Sequence, residues 1–282
     1  MSERVAVITG CSSGFGLLST IELARKGYRV AASVLDLAQR GALDKAAASA
    51  GVTDRIKVSR LDVTETATHA AFVDGVLQQF GRIDVLVNNA GFALSGFCED
   101  VTLEELHRQF ETNFFGHVSL TKAVLPAMRR QGSGRILMVS SMAGRSPMPG
   151  LSSYASSKFA LEGYTEALRM EMAPLNIVPV LIEPGNFATD VWNHPENLAA
   201  SAFDKASPNL ERTHRFHRFA QSGVKLSDPK RVALLIADLA DRPNPRLRYI
   251  IGKDAKILIY SRALLPFRIF EKQMVKKMGI VE

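Results

Sequence analysis

Cysteine is scarce in this 282-residue chain, which has only Cys11 and Cys98. Two thiols so far apart exclude a disulfide framework and fit a reducing compartment. Long apolar runs are also missing. The best, Val232–Ala240, is too short to span a bilayer and carries Asp238. No basic stretch, long apolar segment and cleavage site open the chain, so the expectation is a cytoplasmic protein without a targeting segment. No run of five like charges, internal repeat, low-complexity tract or Pro/Gly-rich linker breaks the sequence. The expectation is therefore a single catalytic domain over 1–282.

Apolar residues make up 46% and charged residues 22%. That balance excludes a disordered chain, a collagen-like repeat and a coiled coil. The formal net charge is +7. A basic balance suits a phosphate-bearing partner, but the cations are dispersed, and nucleic acid is not expected. A local excess does occur late in the chain: Arg242, Arg246, Arg248, Lys253, Lys256, Arg262, Arg268, Lys272, Lys276 and Lys277. It reads either as a solvated face or as attraction to an anionic membrane surface or substrate.

Short β-branched runs alternate with helical stretches. Val5–Thr9, Arg29–Ser33, Ile56–Leu61, Val85–Val87, Arg135–Val139, Ile177–Ile182 and Tyr249–Ile251 read as strands. Gly14–Lys26, Thr66–Phe80, Leu103–Arg130, Tyr154–Met172 and Pro229–Ala240 read as helices. Alternation of this kind predicts an α/β fold whose parallel sheet is covered on both faces. The stretch 186–227 leaves this rhythm and follows a strand, where a ligand binds in an open parallel sheet, so it is expected to be a substrate lid.

The first strand runs into Thr9-Gly10-Cys11-Ser12-Ser13-Gly14-Phe15-Gly16, and a helix follows. Glycines there permit a tight turn and let the backbone approach a pyrophosphate, which a helix N-terminus attracts. The second strand leads to Leu35-Asp36. Asp36 reads either as an acceptor for the adenosine ribose, favouring NAD over NADP, or as a helix N-cap. Arg40 nearby can still meet a phosphate. Asp62 after the third strand can accept from an adenine amino group or cap the segment beginning near Thr64.

Tyr154 and Lys158 stand four residues apart, one turn along a helix face. A phenol near pKa 10 is a poor base, and a neighbouring cation favours the phenolate. Such a pair can move a proton to or from an alcohol oxygen. Ser141 ends the fifth strand, at the edge where the glycine loop opens, and can hold a carbonyl oxygen. Asn88-Asn89-Ala90-Gly91 ends the fourth strand and also reads as a turn. Asn113 falls mid-helix, either as a tolerated polar residue or as a water ligand joining Lys158 to solvent.

Taken in order, these motifs together with Pro184-Gly185-x-x-x-Thr189 resemble the short-chain dehydrogenase/reductase family over about residues 4–240. The resemblance implies a doubly wound Rossmann-type fold with a seven-stranded parallel sheet, a nicotinamide cofactor and a homodimer or homotetramer. It implies Tyr154 as acid/base and Ser141 as anchor of the substrate oxygen. It further implies Lys158 lowering the Tyr154 pKa while holding the nicotinamide ribose, and Asn113 supporting the relay. The nucleotide would be held by Thr9, Gly10, Ser12, Ser13, Gly14, Phe15, Gly16, Asp36, Asp62, Val63, Asn89, Ala90, Gly91, Tyr154, Lys158, Pro184, Gly185, Phe187 and Thr189. The glycine loop and C-terminal extension are most similar to the hydroxysteroid and retinol dehydrogenase branch. Within that branch an Arg after the second strand accompanies NADP; Leu35 and Asp36 here again point to NAD.

The expected substrate wall comprises Ala93, Leu94, Phe97, Met142, Leu151, Phe187 and Trp192, with Ser141 and Tyr154 at its polar end. It suits a hydrophobic alcohol or ketone. His194, His214 and His217 lack Cys or carboxylate companions at ligand spacing, and no metal is expected. The tail, 253–282, reads as packing or pocket closure in preference to membrane contact, because Pro266 interrupts its apolar stretch. The expected activity is NAD(H)-dependent interconversion of a secondary alcohol and its carbonyl. The alternatives are an NADP(H)-dependent biosynthetic ketoreductase and a non-catalytic nucleotide sensor or scaffold on the same fold.

Overall fold

The computed structural model describes residues 3–189, 191, 197–221, 226–278 and 280. Its strands are β1 (Val5–Ile8), β2 (Arg29–Val34), β3 (Ile56–Arg60), β4 (Val85–Asn88), β5 (Gly134–Val139), β6 (Ile177–Pro184) and β7 (Arg248–Ile251). They form one seven-stranded sheet, ordered β3-β2-β1-β4-β5-β6-β7. Every pairing is parallel, including β1 against both β2 and β4. The strands and the parallel sheet read from sequence are all present.

Helices α1 (Gly14–Arg25), α2 (Gly41–Ala50), α3 (His69–Phe80), α4 (Leu103–Phe110), α5 (Gly116–Gln131) and α6 (Ser152–Met172) cover the faces in the first part of the chain. Helices α7 (Leu210–Gln221), α8 (Lys230–Asp241), α9 (Lys253–Leu264) and α10 (Phe267–Lys277) follow. Alternate residues of each strand enter opposite layers, as the pleat requires. Ala6, Ile8, Val87, Leu137 and Ile182 pack with Leu23 of α1 and Ile236 of α8. Val5, Val7, Leu86, Ile136 and Leu181 pack with Val73 of α3, Val124 of α5 and Leu161 of α6. Burying each Val, Leu or Ile contributes about 1.5–3 kcal/mol, which makes the sheet a rigid base for the loops at its carboxyl edge.

Two departures from the sequence reading matter for the site. The stretch expected as one helix, Leu103–Arg130, is broken by a π turn at Glu111–Phe115. Such turns collect at functional sites, and Asn113 stands at the centre of this one. The tail is two helices, α9 and α10, with Pro266 as N-cap of the second. Proline is tolerated at a helix start, where its missing N–H has no partner to lose. The interruption at Pro266 is therefore an elbow between helices.

Candidate active site

The strand order reverses between β1 and β4, and the cleft between their carboxyl ends is where an open sheet receives a ligand. The glycine loop fills it closely. A Cβ on Gly16 would lie 2.1 Å from the Gly10 carbonyl oxygen, and one on Gly10 would lie 2.9 Å from the Ala90 Cα. Gly10 also has φ +69°, a left-handed conformation that glycine adopts without a steric penalty. Ser13, the α1 N-cap, makes no side-chain capping bond. The first-turn N–H groups are thus not taken by a side-chain cap. These features fit a pyrophosphate.

The loop after β4 is braced against this cradle. The Thr9 hydroxyl oxygen accepts from the N–H groups of Asn89 and Ala90 at 3.0 and 2.9 Å. The Asn89 amide donates to the carbonyls of Thr9 and Gly10 at 2.8 and 3.1 Å. Buried His117 of α5 meets the Ala90 carbonyl at 2.7 Å through Nε2. A carbonyl only accepts, so Nε2 carries the proton. Burial and the nearby Lys158 push the His117 pKa down to about 3, so the ring is neutral. Asn113 accepts from the Phe92 N–H at 3.2 Å and donates to its carbonyl at 2.9 Å. Its side chain is therefore committed to holding this loop.

Asp36 and Asp62 both cap turns. Asp36 accepts from the Ala38 N–H at 2.9 Å, and Asp62 accepts from Thr64 through both its N–H and hydroxyl. Arg40 forms a two-pronged pair with Asp44. Val63 after β3 is buried. On the opposite side of the cleft, a Cβ on Gly14 would lie 3.5 Å from Thr189, so the loop after β6 faces the glycine loop. Phe187 stacks edge-on against Phe15, with ring centroids 5.6 Å apart.

Ser141 stands just beyond β5. Its hydroxyl oxygen accepts from the Ala143 N–H at 3.1 Å and is also hydrogen-bonded to Tyr154. Tyr154 and Lys158 are both buried on α6. The Lys158 ammonium lies 5.9 Å from the Tyr154 ring centroid and donates to the Val139 carbonyl at 2.9 Å. Burial raises the phenol pKa, and the bond to Ser141 opposes that rise. Burial also lowers Lys158 to about 8, countered by Glu162. Burial therefore sets the direction at Tyr154, with the Ser141 hydroxyl opposing it.

Of the expected substrate wall, Ala93 packs on Tyr154 with Ala143, Ala155 and Val191. Met142 packs on Ala255 and Ile259 of α9. Phe97 packs with Met148, Phe216 of α7, and Met274 and Met278 of the tail. Leu94 and Leu151 are buried, and Gly96 bridges Leu151 in β fashion. Trp192 and His194 lie outside the described residues, while His214 and His217 flank the Phe203 ring. The reading from sequence missed the tail methionines, because nothing in their spacing ties them to Phe97.

It also missed a buried charge cluster. Glu162, one turn beyond Lys158, and Glu183 of β6 both meet Arg248 of β7, at 3.0 and 3.1 Å. Arg145 lies 3.6 Å from Glu183. Burial, with Glu162 adding to it, pushes the Glu183 carboxyl up to about 7.

A family model described as short chain dehydrogenase matches residues 4–197. The uncharacterized oxidoreductase YusZ of Bacillus subtilis is 39% identical over 99% of both chains. Bovine retinol dehydrogenase 8 is 36% identical over 94% of this chain and 86% of its own. Human 17-beta-hydroxysteroid dehydrogenase type 1 is 35% identical over 88% of this chain and 77% of its own. A Streptomyces avermitilis short-chain dehydrogenase structure superposes with TM-score 0.82 at 30% identity, covering 99% of this chain and 97% of that one. A Thermococcus sibiricus alcohol dehydrogenase complexed with 5-hydroxy-NADP superposes with TM-score 0.70 at 25% identity, covering 89% and 96%.

Proposed function

Because this chain belongs to the short-chain dehydrogenase family and is an oxidoreductase of alcohol and carbonyl groups, we propose that it interconverts a hydrophobic secondary alcohol and its carbonyl with NAD(H). The observation that carries this reading is the convergence of Ser141, Tyr154 and Lys158 beside the glycine cradle. A nicotinamide dinucleotide, when bound, supplies the hydride acceptor or donor. Thr9, Gly10, Ser12, Ser13, Gly14, Phe15 and Gly16 hold its phosphates, and Pro184, Gly185, Phe187 and Thr189 face its nicotinamide end.

Tyr154 takes the alcohol proton during oxidation and returns it during reduction. Ser141 holds the substrate oxygen against that phenol, using the hydroxyl that already bonds to Tyr154. Lys158 stays mostly charged at neutral pH, since its pKa is about 8. Its ammonium offsets the charge that develops on Tyr154. Asn113 keeps the loop around Phe92 in place.

Asp36 supports the NAD preference. It stands at the turn after β2, and Arg40, the nearest cation along the chain, is already paired with Asp44. The substrate wall runs from Ala93 and Leu94 through Met142 and Leu151 to Phe97. Within the stretch expected as a lid, the described Phe216 packs against the same cluster as Phe97.

Parallel titrations with NADH and NADPH, read by nicotinamide fluorescence, test this proposal, followed by a screen of hydrophobic alcohols and ketones. Tighter NADH binding and turnover of such an alcohol are expected. Preference for NADPH would favour a biosynthetic ketoreductase, and binding of neither would overturn the enzymatic reading.

A further inference from the structure

Among the described residues, large apolar side chains concentrate unusually on the outer face of the tail. Ile257 is 68% and Leu264 81% exposed, and Tyr260, Phe267 and Ile269 are exposed with them. Ile257, Tyr260 and Leu264 share one face of α9, since residues three to four apart are helix neighbours. Leu264, Phe267 and Ile269 surround the elbow at Pro266. Arg262 lies 4.9 Å over the Phe267 ring and holds it in this arrangement. Apolar surface concentrated like this marks an interaction site.

The rim around this patch has one sign. Between residues 253 and 278 there are seven Lys and Arg against two carboxylates, Asp254 and Glu271. Asp254 is turned inward, where it accepts from the Asn186 N–H at 2.6 Å. Glu271 is the remaining carboxylate on the exposed face, amid Lys253, Lys256, Arg268, Lys272, Lys276 and Lys277. The opposite faces of the same helices are buried. Ala255 and Ile259 pack on Met142, and Met278 packs on Phe97.

We propose that α9 and α10 dock this face on an anionic lipid surface, with Ile257, Tyr260, Leu264, Phe267 and Ile269 entering the interface and the surrounding cations meeting lipid headgroups. Charge complementarity singles out this occupant. A second copy of the chain would set two like-charged rims against each other, which is unfavourable for a self-complementary contact. An apolar strip flanked by Lys and Arg is the pattern of helices that lie in a bilayer interface. No helix among the described residues is long and apolar enough to cross a membrane, so contact is confined to the surface. The docking does not depend on the proposed reaction.

Co-sedimentation of the full chain with vesicles tests the proposal. The protein should pellet at low salt with mixed phosphatidylglycerol and phosphatidylcholine, and stay in solution with phosphatidylcholine alone. Raised salt should release it, because exposed charges are screened. Lys272→Glu combined with Lys276→Glu should reduce partitioning at least about tenfold, given the contribution of each basic residue near an anionic surface. Leu264→Glu should reduce it as well, and both variants should melt like the parent because these side chains are exposed. Absence of pelleting at low salt would overturn the proposal, as would pelleting unchanged in both variants. A dimer on gel filtration that Leu264→Glu dissociates, without vesicle binding, would reassign the face to self-association.

Discussion

A Cβ on Gly185 would fall 2.4 Å from each carboxylate oxygen of Asp254. The same carboxylate accepts from the Asn186 N–H and lies 2.6 Å from where a Cβ on Gly252 would be. Asp254 is thus wedged between the loop after β6 and the start of α9. The C-terminal extension is thereby locked to the loop proposed to face the nicotinamide. Asp254→Ala should leave the Asn186 N–H without its acceptor and cost about 1–3 kcal/mol of stability. Nucleotide affinity should fall with it. Thermal melting and NADH titration check both effects, and unchanged NADH affinity would detach the tail from the site.

Tyr154→Phe removes the proton carrier and keeps the ring that packs on Ala93 and Ala155. Turnover should fall by about 10²–10⁴, with dinucleotide affinity close to the parent. Steady-state assays beside fluorescence titration separate the two, and retained turnover would refute the acid/base role.

Gly16→Ala would drive a methyl group to 2.1 Å from the Gly10 carbonyl and 2.6 Å from the Asn89 amide. Both are tied into the brace between β1 and β4, so relief requires backbone movement. The expected loss is about 1–3 kcal/mol, together with weaker nucleotide binding, measured by chemical denaturation and titration.

If Asp36 selects NAD, Asp36→Ala should narrow the gap between NADH and NADPH affinity. Loss of its bond to the Ala38 N–H should also cost about 1 kcal/mol. An unchanged cofactor ratio with lowered stability would leave Asp36 as a cap alone.

Glu183 predicts a pH dependence. Its carboxyl is held at about 7 in the fold, against an ordinary 4.5, by burial and by Glu162, while Arg145 and Arg248 oppose the rise. The folded protein therefore keeps a proton that the unfolded chain gives up. The stability this contributes is complete below pH 4.5 and is lost as pH rises through about 7. Relative to the parent, Glu183→Gln should gain stability across that interval. Urea melts at the two ends measure the difference, and a pH-independent difference would remove the assignment.

Much of this molecule is legible in the linear chain because its signals are short-range. Val5 to Ile8 reads as a strand since every side chain there is apolar, as burial on both faces demands. Tyr154 and Lys158 share a helix face through spacing alone. The π turn at Asn113 and the helices of the tail were harder to see. The first is a local shift of hydrogen bonding, and the second has its apolar residues divided between a buried and an exposed face.

The sequence by itself determined the strand order of chemistry: glycines after β1, a hydroxyl after β5, and a phenol and ammonium on the helix that follows. These depend on residue type and on spacings of a few positions. Only the tertiary structure decided that Asp254 meets Gly185, that Glu162 and Glu183 share Arg248, and that Met278 reaches Phe97. Such contacts join residues tens to hundreds of positions apart, and packing alone brings them together. Tertiary structure also decided the direction at Tyr154, where desolvation raises the phenol pKa against the bond to Ser141, because burial is a property of the whole fold.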